Sequence, residues 1–252
     1  MSTARHRRSP SPDLWVCQLG TIRYQEAVAI QKHVRERRLA GELPDTLLLL
    51  EHPPVYTRGR RSGDGELPLG ESFYSEQGIE VIDTDRGGRI TYHGPGQLVG
   101  YPIMRIEDVH SYLRRMEGAI LAALMAEGVH ARSRHKEGID YTGVWVQERK
   151  IASIGVHVSR GITTHGFAVN VENDLEPFSW VIACGLPGTR MTSLAEELGL
   201  DERPGDGDLS GFRERMAESF ADAFGHRTRL ISPLELGLEH SLAAAPPEAI
   251  AR

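Results

Sequence analysis

The chain has two cysteines, Cys17 and Cys184, far apart in 252 residues. That is too few for a disulfide framework, and no CxxC occurs for zinc or redox chemistry. There is no HExxH or comparable histidine cluster, which argues against a metal site although His93, His157 and His165 need weighing as ligands or bases. No GK[ST] ends a phosphate loop, and no GxSxG surrounds Ser153 or any other serine. No apolar run is long enough to span a membrane. The N-terminus, MSTARHRRSPSPD, is basic and is followed by no apolar core, so it does not read as a secretory signal. Positive charge is not in excess: 29 Lys and Arg against 35 Asp and Glu leave a net charge of −6, which excludes a general nucleic-acid binder. A cytoplasmic location, with Cys184 a free thiol, is the expectation.

What is present is ordinary for a globular protein: 40% hydrophobic and 25% charged residues, enough for one large core. Residues 1–13 hold almost nothing apolar and read as a disordered tail, 14–232 as one catalytic domain, and 233–252 as a C-terminal tail. Strand patterns fall at Leu14–Leu19, Thr46–Leu50, Ile79–Thr84, Ile90–Tyr92, Thr142–Gln147, Ile151–Val158, Thr164–Val171 and His226–Ile231. Helical periodicity covers Thr21–Ala40, with Thr21 as its cap, Asp108–Glu127, Thr192–Leu198, and a last helix capped by Ser210 and running to Phe224. Pro53–Gly70, rich in Gly, Pro and Arg, reads as a long loop. Strands and helices mix without regular βαβ alternation, so the expected class is α+β.

The chain is organised around Lys150–Cys184. A cysteine reacts as its thiolate, which a free pKa of about 8.5 keeps scarce at neutral pH. A nearby lysine can favour the thiolate or accept the proton, so Lys150 and Cys184 are candidates for a base and its nucleophile. On residue type alone, the first reading of Cys184 is an inert buried thiol and that of Lys150 a solvated charge. A Cys–His pair with His93 is the alternative. A second stretch, Asp85–Pro102, packs five glycines among Arg86, Arg89, Thr91, Tyr92, His93 and Gln97. Its glycines let backbone approach a ligand, or simply form tight turns. It is not a Rossmann fingerprint, because Gly100 falls one place too late after Gly94 and Gly96. Gly166, inside a strand pattern, marks another close approach.

Four stretches together, RGGRITYHGPGQL (Arg86–Leu98), KIASIG (Lys150–Gly155), HGFAVNV (His165–Val171) and ACGLPG with MTSL (Ala183–Gly188, Met191–Leu194), resemble the lipoyl(octanoyl) transferase family of lipoate biosynthesis. The resemblance runs from about Leu14 to Ile231. Ala183 stands where the family often has proline. It implies a biotin/lipoate ligase-like fold, a mixed β-sheet flanked by helices. It implies transfer of an octanoyl group from octanoyl-acyl carrier protein to a lysine of lipoyl domains, those of 2-oxoacid dehydrogenase complexes and of the glycine cleavage H protein. It further implies an acyl-enzyme on Cys184 assisted by Lys150, and an acyl channel lined by Arg86, Gly87, Gly88, Arg89, Ile90, Thr91, Tyr92, His93, Ser153, Ile154, Gly155, Gly166, Phe167 and Ala168. No cofactor, metal, nucleic acid or membrane is called for, and a monomer is expected. Arg58, Arg60, Arg61, Arg86 and Arg89, and a second group, Arg132, Arg134 and Lys136, are candidates for steering acidic partners. The alternatives are an ATP-dependent ligase and a catalytically inactive acyl- or lipoyl-domain-binding module. Lipoate ligases tend to carry three successive glycines and His-Asp, where this chain has Gly87–Gly88 and His93–Gly94.

Overall fold

In the computed structural model, residues 12–182, 186, 188–200 and 209–238 are described. The elements run β1 (Asp13–Thr21), α1 (Tyr24–Leu39), β2 (Thr46–Glu51), β3 (Val55–Arg58), α2 (Glu71–Glu76), β4 (Glu80–Asp83), β5 (Thr91–His93), β6 (Gln97–Ile103), α3 (Val109–Ala126), β7 (Arg132–Ser133), β8 (Gly143–Val146), β9 (Arg149–Ser159), β10 (Ile162–Asn170), β11 (Arg190–Met191), α4 (Leu194–Leu198), α5 (Leu209–Phe224) and β12 (Arg227–Ile231).

The four leucines of Thr46–Glu51 explain the main sheet. Successive strand residues point to opposite faces. Leu47 and Leu49 join one core cluster with residues of α3 and α5, while Leu48 and Leu50 join another with residues of α1. A strand apolar on both faces can only sit inside a sheet with helices on each side. The large sheet has the order β12-β1-β2-β6-β10-β9-β8-β7, with β11 added against β9. Parallel β1–β2 and β1–β12 pairs adjoin antiparallel β2–β6–β10–β9–β8 pairs, so the class is α+β with a mixed sheet, as expected. A three-stranded sheet, β4-β3-β5, packs Tyr56, Ile90 and Tyr92 against Tyr74, Phe178 and Val181.

Several elements depart from the sequence expectation. The expected loop Pro53–Gly70 contains β3, whose Val-Tyr-Thr-Arg run is masked by its Pro and Gly flanks. The centre of the sheet includes β6, which Gly100 and Pro102 disguise as a turn-rich segment. Thr21 ends β1 rather than capping α1, whose first residue is Tyr24. Ser210 lies inside α5, which is already helical at Leu209. Asp108 does cap α3, accepting from the Ser111 amide at 2.6 Å. Residues 233–238, expected within the C-terminal tail, bury Leu236 and Leu238 in the cluster beneath α1. Among the described residues no helix is long and apolar enough to cross a membrane.

Candidate active site

Two close approaches create the site. The loop from Asp85 to Ile90 lies on β9: the Gly87 amide donates to the Val156 carbonyl at 2.9 Å, and a Cβ at Gly155 would stand 2.7 Å from the Gly87 carbonyl oxygen. On the paired strand, a Cβ at Gly166 would stand 2.2 Å from the Gly100 oxygen. Neither position has room for a side chain. Gly155 pairs with Gly166 and Ser153 with Ala168, so a tile of small residues spans β9 and β10. The space they leave is part of a cavity of about 280 Å³.

Arg86, Gly87, Gly88, Arg89, Ile90, Thr91 and His93 line this cavity, as do Lys150, Ser153, Ile154, Gly155, Gly166, Phe167 and Ala168. Residues more than a hundred positions apart in sequence at the extremes, Tyr24 and Ala168, meet there. Tyr92 does not reach it. In β5 it alternates with Thr91 and His93, and its ring packs away from the cavity on Tyr56 and Phe178, with centroids 5.5 Å apart in both cases. The period of two in Thr-Tyr-His carries that signal, since neighbouring residues of a strand face opposite sides.

Lys150 is 2% exposed. Its ammonium lies 5.3 Å from the centroid of Trp145, its cross-strand neighbour. Gly143 makes room for it, because a Cβ there would be 2.8 Å from Lys150 Cε. Cys184, Ala183, Gly185 and Pro187 lie outside the described residues. Their flanks are tied to the site. The Ile182 amide donates to the Glu66 carbonyl at 3.0 Å, and the Glu66 carboxylate takes the Ile90 amide at 3.2 Å. Downstream, Met191 pairs with Lys150, and the Thr192 amide donates to the Lys150 carbonyl at 3.1 Å. A buried polar chain holds that downstream flank. His93 donates to Gln97, Gln97 to Asn170, and Asn170 to the Thr192 carbonyl, at 2.8, 2.9 and 3.0 Å. Cys17, by contrast, is fully buried, and burial pushes its thiol up to about 12.

The other end of the cavity is a cluster of rings. His52 donates through Nδ1 to the Ile22 carbonyl at 2.6 Å and accepts at Nε2 from the Tyr101 hydroxyl at 2.7 Å. Burial lowers His52 to about 4 and His93 well below the usual histidine value. His165 donates through Nε2 to Asp85 at 2.7 Å, leaving Nδ1 to accept from Tyr24 at 3.4 Å. Burial lowers His165, partly opposed by Asp85. Burial alone would raise the Asp85 carboxyl, but the hydrogen bond and charge of His165, with His157 at 3.7 Å, bring it below the usual value. His165 has φ 56°, a left-handed backbone rare for a residue with a side chain. The amide so turned donates to Gln31 at 2.6 Å. Strain of this kind concentrates at functional sites. With both ring nitrogens of His93 engaged, the second by Thr57 at 3.5 Å, its geometry is that of a neutral wall residue rather than a free base.

Arg86 points inward, 7% exposed, with hydrogen bonds to Thr57 and the Gly87 carbonyl. It is a wall of the site and is not available for surface steering. Of the other arginines, Arg58 pairs with Asp83, Arg61 with Asp140, Arg89 with Glu66, and Arg132 and Arg134 with Glu148. Arg60 and Lys136 are exposed. Among the described residues no cluster of His, Cys, Asp and Glu could hold a metal ion. Tyr24, Tyr101, Ile139 and Asp140 also line the cavity, and no motif in the sequence announces them.

The family model of the lipoyl protein ligase A/B catalytic domain matches residues 23–221. An octanoyltransferase of Rubrobacter xylanophilus is 48% identical over 210 residues, covering 82% of this chain and 91% of its own. One of Mycobacterium ulcerans is 47% identical over 204 residues, covering 76% and 82%. Among solved structures, lipoate-protein ligase A bound with ATP superposes with a TM-score of 0.68 at 18% identity, covering 90% of this chain and 92% of that one. A bipartite lipoate protein ligase from Thermoplasma acidophilum gives 0.63 at 17% identity, covering 92% and 91%. These structural likenesses are of fold.

Proposed function

The chain belongs to the lipoyl protein ligase A/B catalytic domain family, and from that premise we propose that it is an octanoyltransferase of protein lipoylation. The observation that carries the reading is the convergence of Lys150 and three separate motif stretches on one cavity, in a chain 48% identical to a relative named octanoyltransferase. The donor is an octanoyl thioester of acyl carrier protein. The acceptor is a lysine of a lipoyl domain, such as those of 2-oxoacid dehydrogenases or of the glycine cleavage H protein. The enzyme works as a soluble cytoplasmic protein and needs no cofactor, because the thioester is already activated.

The Cys184 thiolate attacks the thioester carbonyl carbon. A new C–S bond forms, the carbonyl electron pair moves to oxygen, and collapse expels the carrier thiolate. Lys150 takes the Cys184 proton and passes it to that leaving sulfur. In the second half the acceptor amine attacks the acyl-enzyme, an amide forms, and Cys184 leaves as thiolate while Lys150 receives the amine proton. Backbone amides near Cys184 and Gly155 stabilise the oxyanion. The apolar tail lies on the tile of Ser153, Gly155, Gly166 and Ala168, and its burial is worth roughly 5 kcal/mol at ~0.8 per methylene.

Mass spectrometry after mixing with octanoyl carrier protein in ATP-free buffer tests the reading. The expected product is a single octanoyl adduct, lost in Cys184→Ser together with transfer to a lipoyl domain. Wild-type transfer in Cys184→Ser, or transfer that appears only with ATP and free octanoate, would overturn it.

A further inference from the structure

The cavity is open at one end and closed at the other, and this difference bears on the length of acyl chain it can take, given the acyl-transfer reading above. At the open end stands Ile139, 66% exposed. At the closed end Tyr24, His93, Tyr101 and His165 are all buried. We propose that Tyr24 closes the buried end of the cavity and thereby sets the longest acyl chain the enzyme accepts.

Tyr24 is held on every side that the structure displays. Its backbone starts α1, whose next turns bury Ala27, Ile30 and Val34 in the core under the sheet. Its ring stacks on His93, with centroids 6.0 Å apart and planes 18° apart, and meets His52 at 5.1 Å. Its hydroxyl donates to His165, which Asp85 and a left-handed backbone hold in place. His52 in turn fixes Tyr101. The ring therefore cannot swing aside without breaking several contacts at once. The rings of Tyr24, Tyr101 and His93 offer apolar surface there to a terminal methyl, with the Arg86 guanidinium lining the same cavity.

The dimensions fit a gauge. From Lys150 to Val156, the strand partner of His165, is about 20 Å along β9 at ~3.3 Å per residue. Lys150 and Tyr24 both line the cavity. An extended octanoyl group takes up about 9 Å from carbonyl carbon to methyl, as a zigzag of ~1.5 Å bonds. A chain several carbons longer must displace Tyr24, and forcing a close-packed ring costs more than burying one further methylene gains.

The test is a ranking of acyl-enzyme formation with carrier-protein thioesters from hexanoyl to tetradecanoyl, read by mass spectrometry. In Tyr24→Ala the rate ratio of dodecanoyl to octanoyl should rise at least about tenfold, the scale on which pocket methylenes discriminate. Tyr24→Phe, which keeps the ring, should keep the wild-type ranking. A loss of stability alone would slow every chain alike and leave the ratio unchanged. Should Tyr24→Ala fail to fold, Tyr24→Leu carries the same comparison. A wild-type ranking in the alanine and leucine variants overturns the role of Tyr24. Absence of octanoyl transfer in the wild-type protein instead overturns the functional reading on which it rests.

Discussion

At the mouth of the cavity Arg61, Arg89 and Asp140 are partly exposed and tied by ion pairs of 2.9 and 3.6 Å. At the buried end His52, His93 and His165 are driven toward the neutral form by burial, and each pairs with a hydroxyl, amide, carbonyl or carboxylate. Both ends are polar in sequence, yet one uses ion pairs near water and the other uses histidines held toward the neutral form by burial, with the Asp85 carboxylate bonded to one of them. The difference teaches where each can matter. Exposed charges meet partners and are screened by salt. Buried rings define shape, because moving one leaves unpaired polar groups behind.

That contrast can be broken in steps. Lys150→Ala, in the cavity that both regions share, should cost the most, at least about 10²-fold in octanoyl transfer, the usual contribution of a positioned base. A single-turnover assay reads it, and a loss below tenfold would move the proton work to another group. Next in size is the response of the buried end to acid. The folded His52 value, about 4, lies below the ordinary 6.5, so the unfolded chain binds the extra proton in that window. Its contribution to stability is complete above pH 6.5, falls as pH falls, and is gone below about 4, amounting to roughly 3 kcal/mol. Denaturant unfolding at pH 7 and at pH 5 should show the decline, and His52→Asn should make it smaller, with His93 and His165 supplying the remainder. Equal stability at the two pH values would show that the ring is not held neutral. Smallest is the mouth: Asp140→Ala should shift the unfolding temperature by less than about 4 °C, because exposed ion pairs contribute little. A larger drop in a thermal melt would mean that the mouth is as firmly built as the end.

Much of the site is legible in the chain itself. Lys150, Ser153–Gly155, Gly166–Ala168 and Arg86–His93 stand in motifs, and all but Tyr92 come to one cavity. Tyr92, which the resemblance assigns to the channel, packs on Tyr56 and Phe178 instead, because neighbours in β5 alternate in direction. Two strands, β3 and β6, were hidden because proline and glycine dominate local pattern, while pairing inside a sheet is decided by distant partners. The Tyr24–His165 and His165–Asp85 contacts join residues 141 and 80 positions apart. No spacing rule spans such separations.

Local physics, read from the sequence alone, was sufficient for the α+β class and the helices with their periodic faces, whereas the lysine and small-residue stretches stood out through their resemblance to a family. Those properties depend on neighbours within a few residues, where geometry is repetitive. Tertiary structure alone decided that Arg86 turns inward, that Tyr24 and three histidines form the closed end, and that Gly155 and Gly166 are glycines because other backbone occupies the place of a Cβ. These follow from burial and close approach between distant segments, and only the folded chain brings such segments together.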